Sequence, residues 1–286
     1  MLTAVLCRES VPIVDSQERI IALLAGNPVN DSSWPAIIEE AARELEDARE
    51  QLIVDKEAQE HRRGKYVAAS VGNSIGGGQK PMPFKQHPAN DPVIQRLLSS
   101  KPFERLAGWA SSAFATWAPK LHTYYKETMS KLCTHDPGIR FNWATSIFAA
   151  ATFNLGPQTI TYVHQDYFNY VFGWCAITAL GNFDYRQGGH LILWDLHLVI
   201  QFPPGSTILI PSAYLRHSNT SIGPNERRYS FTQYTAGGIF RYVEDGMRTR
   251  ESMSKAERKH REAEVRTRVP KGMNMYSTLK ELQGSL

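Results

Sequence analysis

The chain has 286 residues, of which 42% are apolar and 21% charged, and a net charge of +4. That length suits one large domain with a sizeable core, and so small a charge does not by itself argue for a nucleic-acid partner. No apolar run reaches the roughly 18–20 residues needed to span a bilayer, and three isolated cysteines, Cys7, Cys133 and Cys175, argue against a zinc knuckle or a disulfide framework. The N-terminus shows no basic stretch followed by an apolar one. The expected setting is a reducing compartment, the nucleus before the cytoplasm, with no membrane partner.

Residues 1–33 are mixed and predict no clear element. From Trp34 the character changes. Ile38, Ala41, Leu45, Ala48 and Leu52 recur at helical spacing, which predicts a helix to about His61. Asp31, Ser32 and Ser33 are candidate caps, and Pro35 suits a first turn. Residues 70–92, rich in Gly and Pro, read as a loop, either a plain connection or a lid. Its GGG run lacks the following residues of a phosphate-binding loop. Residues 103–132 predict a helix interrupted at Pro119, with its aromatics in the core.

From about residue 146 the pattern turns to strands. SIFAAATFN, QTITYVH, WCAITAL, GGHLILW, LVIQF, STILIPS and RYSFTQYTAG are short and separated by turns such as DYRQGG and FPPGS. They predict an antiparallel sandwich or barrel. After Gly246 the chain is charged and helix-prone. The expected plan is an α+β chain: an N-terminal segment 1–33, a helical region 34–135 containing the loop 70–92, a β core 136–246, and a basic tail 247–286.

The chemistry concentrates in HQDYFN, residues 164–169. On a strand, residues i and i+2 share a face, so His164 and Asp166 can point into one cavity. An imidazole and a carboxylate are two thirds of the facial triad that holds non-haem Fe(II). Alone the pair is a weak signal. His217 follows the strand STILIPS, and a reversal at GPN is expected to lay RYSFTQYTAG antiparallel to the strand before it. Alternation then puts Arg228, Ser230, Thr232 and Tyr234 on one face, where a guanidinium can grip a carboxylate bidentately.

HxD, a distal His and RxS about ten residues later, in that order, resemble the Fe(II)/2-oxoglutarate-dependent dioxygenases over residues 140–243. The resemblance implies a double-stranded β-helix, or jelly roll. It implies His164, Asp166 and His217 as catalytic metal ligands, and Arg228 and Ser230 as the groups that bind 2-oxoglutarate. The implied cofactors are Fe(II), 2-oxoglutarate and dioxygen, with ascorbate as a stimulant.

Within that family the chain resembles the TET/JBP branch, in a fungal-type form. HQDYFN is similar to the branch's HxDxxN, and RYSFTQY to its RxSxxxY. The resemblance implies Asn169 and Tyr234 as substrate contacts. It implies DNA with a flipped methylated base as partner, and oxidation of 5-methylcytosine to 5-hydroxymethylcytosine and beyond. The chemistry coheres: a base methyl is reached by flipping, an amide can read a base edge and an aromatic ring can stack on it. The chain departs from the branch at Gln165 and Ala236, and has no cysteines for the cysteine-rich zinc region of the branch's animal members. Lys80, Lys85 and the 248–271 tail are candidate phosphate contacts.

Two other readings share part of this set. One is an oxygenase acting on an N-methylated base, a small metabolite or a protein side chain. The other is a non-enzymatic jelly-roll binding protein. Asp195 and His197 are also two apart, but in reversed order and with no RxS at the right distance. His190 could face the cavity, His122 and His135 fall in the helical half, and Arg227 competes with Arg228.

Overall fold

The computed structural model describes residues 2–5, 9–55 and 59–283; Cys7 lies outside them. Two sheets face each other. The larger is built, in spatial order, from β2 (Val11–Val14), β3 (Ile20–Gly26), β10 (Thr207–Ile210), β7 (Cys175–Asn182), β12 (Arg227–Tyr234), β6 (Ala150–Asn154), β4 (Ala68–Ser74) and β5 (Met82–Pro83). The smaller holds β1 (Leu2–Val5), β9 (Leu198–Gln201), β8 (Leu191–Leu193) and β11 (His217–Asn219). From β7 onward the chain alternates between them, β8 and β9 in the small sheet, β10 in the large, β11 in the small, β12 in the large. This is the expected jelly roll.

Helices cover the outer face of the large sheet. α1 (Trp34–Gln51), α2 (Asp91–Ser99) and α3 (Lys101–Trp117) bury Leu45, Leu97 and Phe103 against Phe153 and Phe231. α4 (Pro119–His135) adds Leu121 and Tyr125 to a second cluster with Phe114, Phe148 and Trp174. α5 (Gly237–Glu244) follows β12, and the C-terminal stretch forms α6 (Lys255–Ala263), α7 (Val265–Met273) and α8 (Leu279–Gln283). Among the described residues no helix is long and apolar enough to cross a membrane.

Between the sheets the composition divides. Over β3, β10 and the near end of β7 the interior is apolar: Ala22, Leu24, Ile208, Ile210 and Cys175 meet Leu191, Leu193 and Ile200. Over β12, β6 and β4 it is polar. Ser70 bonds Thr152 (2.9 Å), and Asn154 bonds Ser230 (2.9 Å). A cavity of about 520 Å³ opens over this polar half, reaching Ser70, Thr232 and Tyr234.

Several local expectations change. Residues 1–33 hold three strands. Of these, β3 is buried on both faces, so IIALLAG has no alternation to reveal it. The first helix stops at Gln51, ten residues before His61. There the Asn90 side chain binds both the N–H and the carbonyl of Ile53 (2.8 and 2.9 Å), holding the chain out of the helix. Part of the expected loop 70–92 is strand: β4 buries Ala69, Val71 and Asn73 by strict alternation, and β5 pairs back onto it. RYSFTQY does not pair with the strand before it. β12 lies between β7 and β6, while β11 belongs to the other sheet, because a jelly roll changes sheet at that turn.

Candidate metal centre and adjoining cavity

QTITYVH is not a regular strand. Its end is pinned to β11 by a reciprocal pair of backbone bonds: His164 N–H donates to the His217 carbonyl (3.0 Å), and His217 N–H to that of His164 (2.9 Å). The two imidazoles therefore start from directly opposed positions, with ring centroids 4.3 Å apart. Asp166 is placed by its own N–H, which donates to the Ser212 carbonyl at 2.9 Å.

Each ring is oriented by a backbone carbonyl. His164 Nδ1 lies 2.7 Å from the Tyr162 carbonyl and His217 Nδ1 2.9 Å from that of Leu215. A carbonyl only accepts, so each Nδ1 carries the proton and each Nε2 keeps its lone pair, as metal-ligating histidines require. Both Nε2 atoms turn toward Asp166, at 4.0 Å for His164 and 3.8 Å for His217. The three ligand atoms lie within 4.8 Å of one another, and among the described residues this is the one such group of three or more. Burial, then the neighbouring His217 ring, hold the His164 pKa well below the ordinary histidine value. The ring is neutral at physiological pH, which is the ligating form. Two imidazoles and one carboxylate fit a non-haem Fe(II) ion.

Arg228 is buried in the same interior, with 3% of its surface exposed. Its Nη1 donates to the Thr159 carbonyl at 3.0 Å, while Nε has no partner, and among the described residues no carboxylate pairs with it. Desolvation lowers its pKa to about 10. A buried guanidinium without an anion is costly. Thr159 Oγ1 and Asn154 Oδ1 are also buried without partners. A cation beside a hydroxyl free to donate, that of Thr159, fits the carboxylate of a dicarboxylic acid such as 2-oxoglutarate.

Asp166, Asn169 and Tyr234 line the cavity. The Asn169 amide donates to Ser212 Oγ at 3.0 Å, and the Tyr234 hydroxyl accepts from Thr152 Oγ1 at 3.2 Å. Ser230 Oγ, on the same strand, accepts from Asn154. The decoys fall elsewhere. Asp195 binds the backbone N–H and Nε of Arg216 (2.6 and 2.9 Å), while His197, His135 and Arg227 are exposed. His122 packs edge-on to Phe114. His190 keeps a buried Nε2 without a partner. Lys80 sits 3.9 Å from Asp136, and Lys85 is exposed.

One wall of the site comes from residues that predicted something else. His61, Arg62 and Arg63 line the cavity, where the sequence reads as the end of a helix. Arg62 reaches Asp166 at 3.7 Å and the Gln165 carbonyl at 3.0 Å, and Tyr162 N–H is tied to the Arg63 carbonyl (2.8 Å). Tyr66 is buried with its hydroxyl in the fields of both Arg228 and Asp166, and burial raises its pKa. No local pattern in HRRGKY announces this. The alternation of Thr152 and Asn154 could have been read as a polar inner face.

No family model matches this chain, and no curated protein matches it. Solved structures do. NgTET1, determined in complex with 5mC DNA, is 13% identical, with 83% of each chain covered and a TM-score of 0.55. A 2OG-Fe(II) oxygenase family oxidoreductase from Burkholderia pseudomallei is 17% identical, covering 68% of this chain and 77% of its own, with a TM-score of 0.39. A Pseudomonas putida prolyl-4-hydroxylase is 17% identical, covering 70% and 85%, with a TM-score of 0.35. The likeness to NgTET1 is one of fold.

Proposed function

We propose that this chain is an Fe(II)/2-oxoglutarate-dependent dioxygenase that oxidises a methylated base in DNA, with 5-methylcytosine as substrate. The observation that carries the reading is the convergence of His164 Nε2, His217 Nε2 and the Asp166 carboxylate within 4.8 Å. His164, His217 and Asp166 would hold the iron. Arg228, with Ser230 on the same strand, would hold the far carboxylate of 2-oxoglutarate. With 2-oxoglutarate and dioxygen, bound iron supplies the oxidising power to hydroxylate a C–H bond, leaving succinate and carbon dioxide.

The protein's part is placement. The reciprocal backbone bonds fix the two imidazoles before any ion arrives, so little reorganisation accompanies binding. The unpaired Arg228 charge favours an anionic co-substrate over a neutral one. The cavity volume of about 520 Å³ falls in the range of small-molecule sites, with room for one flipped base. Asn169 and Tyr234 would meet its edge and face. The NgTET1 fold, solved with 5mC DNA, favours that substrate over a metabolite.

The test is anaerobic reconstitution with Fe(II) and 2-oxoglutarate, followed by oxygen and methylated duplexes, with succinate and base products read by mass spectrometry. 5-Hydroxymethylcytosine alongside succinate supports the proposal. Succinate with no base product moves the substrate to a metabolite or a protein side chain, and failure to take up iron refutes the reading altogether.

A further inference from the structure

A second groove, of about 450 Å³, adjoins the cavity and shares Ile75 and Phe168 with it. Six arginines line it, Arg241, Arg248, Arg250, Arg258, Arg261 and Arg268, against two carboxylates, Asp245 and Glu262. Arg248 pairs with Glu257 (2.8 Å), Arg250 with Glu262 (2.5 Å) and Arg261 with Asp245 (2.8 Å). Among the described residues Arg241, Arg258 and Arg268 pair with no carboxylate; Arg258 instead donates to the carbonyls of Met253 and Glu251. The groove thus keeps a positive surplus beside the site rather than spread over the surface, although the whole chain is nearly balanced. The lining also holds Gly78, where an added Cβ would meet the Glu251 carboxylate, and Gly76 and Gly77, where it would meet nothing within 4 Å. The backbone there is open to close approach by a ligand.

At the junction of groove and cavity stand two adjacent aromatic side chains, Tyr167 and Phe168, 72% and 79% exposed. They directly follow Asp166. Rings of this size are normally buried, and an exposed pair at a cavity mouth marks a surface for a partner. Guanidinium groups bind phosphates, and aromatic faces stack on bases with little regard to sequence. An acidic peptide would account for the arginines but not for two bare rings beside the site.

We propose that this groove binds the phosphodiester backbone of the strand whose base enters the cavity, while Tyr167 and Phe168 stack against bases at the mouth. The inference rests on reading the cavity as a base-receiving site. It also places nucleic-acid contact in one groove of the C-terminal region rather than along the tail generally.

The test is binding of a fluorescent 12-nucleotide DNA strand, read by anisotropy from 50 to 200 mM salt, with Fe(II) and 2-oxoglutarate left out so that turnover plays no part. Wild type is compared with Arg241→Ala, Arg268→Ala, their double variant, and Tyr167→Ala with Phe168→Ala, each checked for an unchanged melting temperature. Each arginine change should weaken binding and lower the slope of log affinity against log salt by about one. The aromatic double change should weaken binding about tenfold or more with the slope unaltered. Unchanged affinity in the arginine double variant would overturn the proposal, even if the enzyme oxidises DNA. So would competition by a poly-glutamate peptide of equal charge that matches the DNA strand while the aromatic variants bind normally. Arginine-dependent and aromatic-dependent binding without base oxidation would leave the groove standing and remove the substrate assignment instead.

Discussion

His164 and His217 are backbone partners before they are ligand partners: each donates its N–H to the other's carbonyl, at 3.0 and 2.9 Å. The pair holds two imidazoles, 53 residues apart in sequence, at one distance whatever occupies the space between them. His217→Ala or Asp166→Ala should therefore leave the fold and melting temperature nearly unchanged. Either should lower iron affinity by more than about 100-fold, beyond the loss expected from disturbing an outer partner alone. Isothermal titration of the apo protein with Fe(II) under argon reads this directly.

Arg228 is a buried cation that pairs with no carboxylate among the described residues. Replacing it with Met removes the charge and its desolvation cost while keeping an unbranched, flexible apolar stem. Arg228→Met should leave the apo protein as stable as wild type or more so. If 2-oxoglutarate binds as proposed, the variant should also lose the rise in melting temperature expected of the wild type, equivalent to about 2.7 kcal/mol at a ligand concentration 100 times the dissociation constant. A marked drop in apo stability would show that Arg228 is held by structural contacts instead.

Gly181 faces Arg228 across the β7–β12 pair with φ +113°. A Cβ there would lie 2.3 Å from the Arg227 carbonyl oxygen and 3.1 Å from the Arg228 Cα. Gly181→Ala should cost more than about 1–3 kcal/mol by strain and displace the Arg228 backbone. Chemical denaturation measures the first effect, and 2-oxoglutarate affinity in the fraction still folded measures the second.

Asp195 anchors the residue before His217. Its hydrogen bond with Arg216 lowers the Asp195 pKa. A depressed carboxylate contributes stability that is complete above the ordinary aspartate value of about 3.9 and is lost as pH falls through the lower, folded-state value. The pair is solvent-exposed, so Asp195→Ala should cost little stability at neutral pH. The difference between variant and wild type should shrink on acidification below that range, as pH-dependent denaturation curves would record.

Asn169 lines the cavity but is not among the three converging ligands. On the proposed function, Asn169→Ala should keep the uncoupled succinate release expected of the wild type while base oxidation falls by about tenfold or more. Paired succinate and nucleoside measurements separate the two. An equal fall in both would place Asn169 in support of the metal instead.

Much of the site was legible because local pattern carries it. HxD and the distal His name the three groups that converge, and β12's alternation puts Ser230, Thr232 and Tyr234 on one face while Phe231 turns to the helices. Other parts were hidden. The helix expected to reach about His61 ends at Gln51, where Asn90 holds the chain, and His61, Arg62 and Arg63 become a wall of the cavity. The Gly-rich run at 70 reads as loop, yet its small residues make a strand between β5 and β6.

By itself the sequence determined which residue types could meet and which faces could be buried, because side-chain periodicity depends only on the geometry of a single element. The tertiary structure decided what lies opposite: that β3 joins the large sheet, that among the described residues no carboxylate pairs with Arg228, and that arginines from α5 to α7 line the groove beside the cavity. Pairing and the neutralisation of charge depend on contacts between distant segments, and no local repeat encodes them.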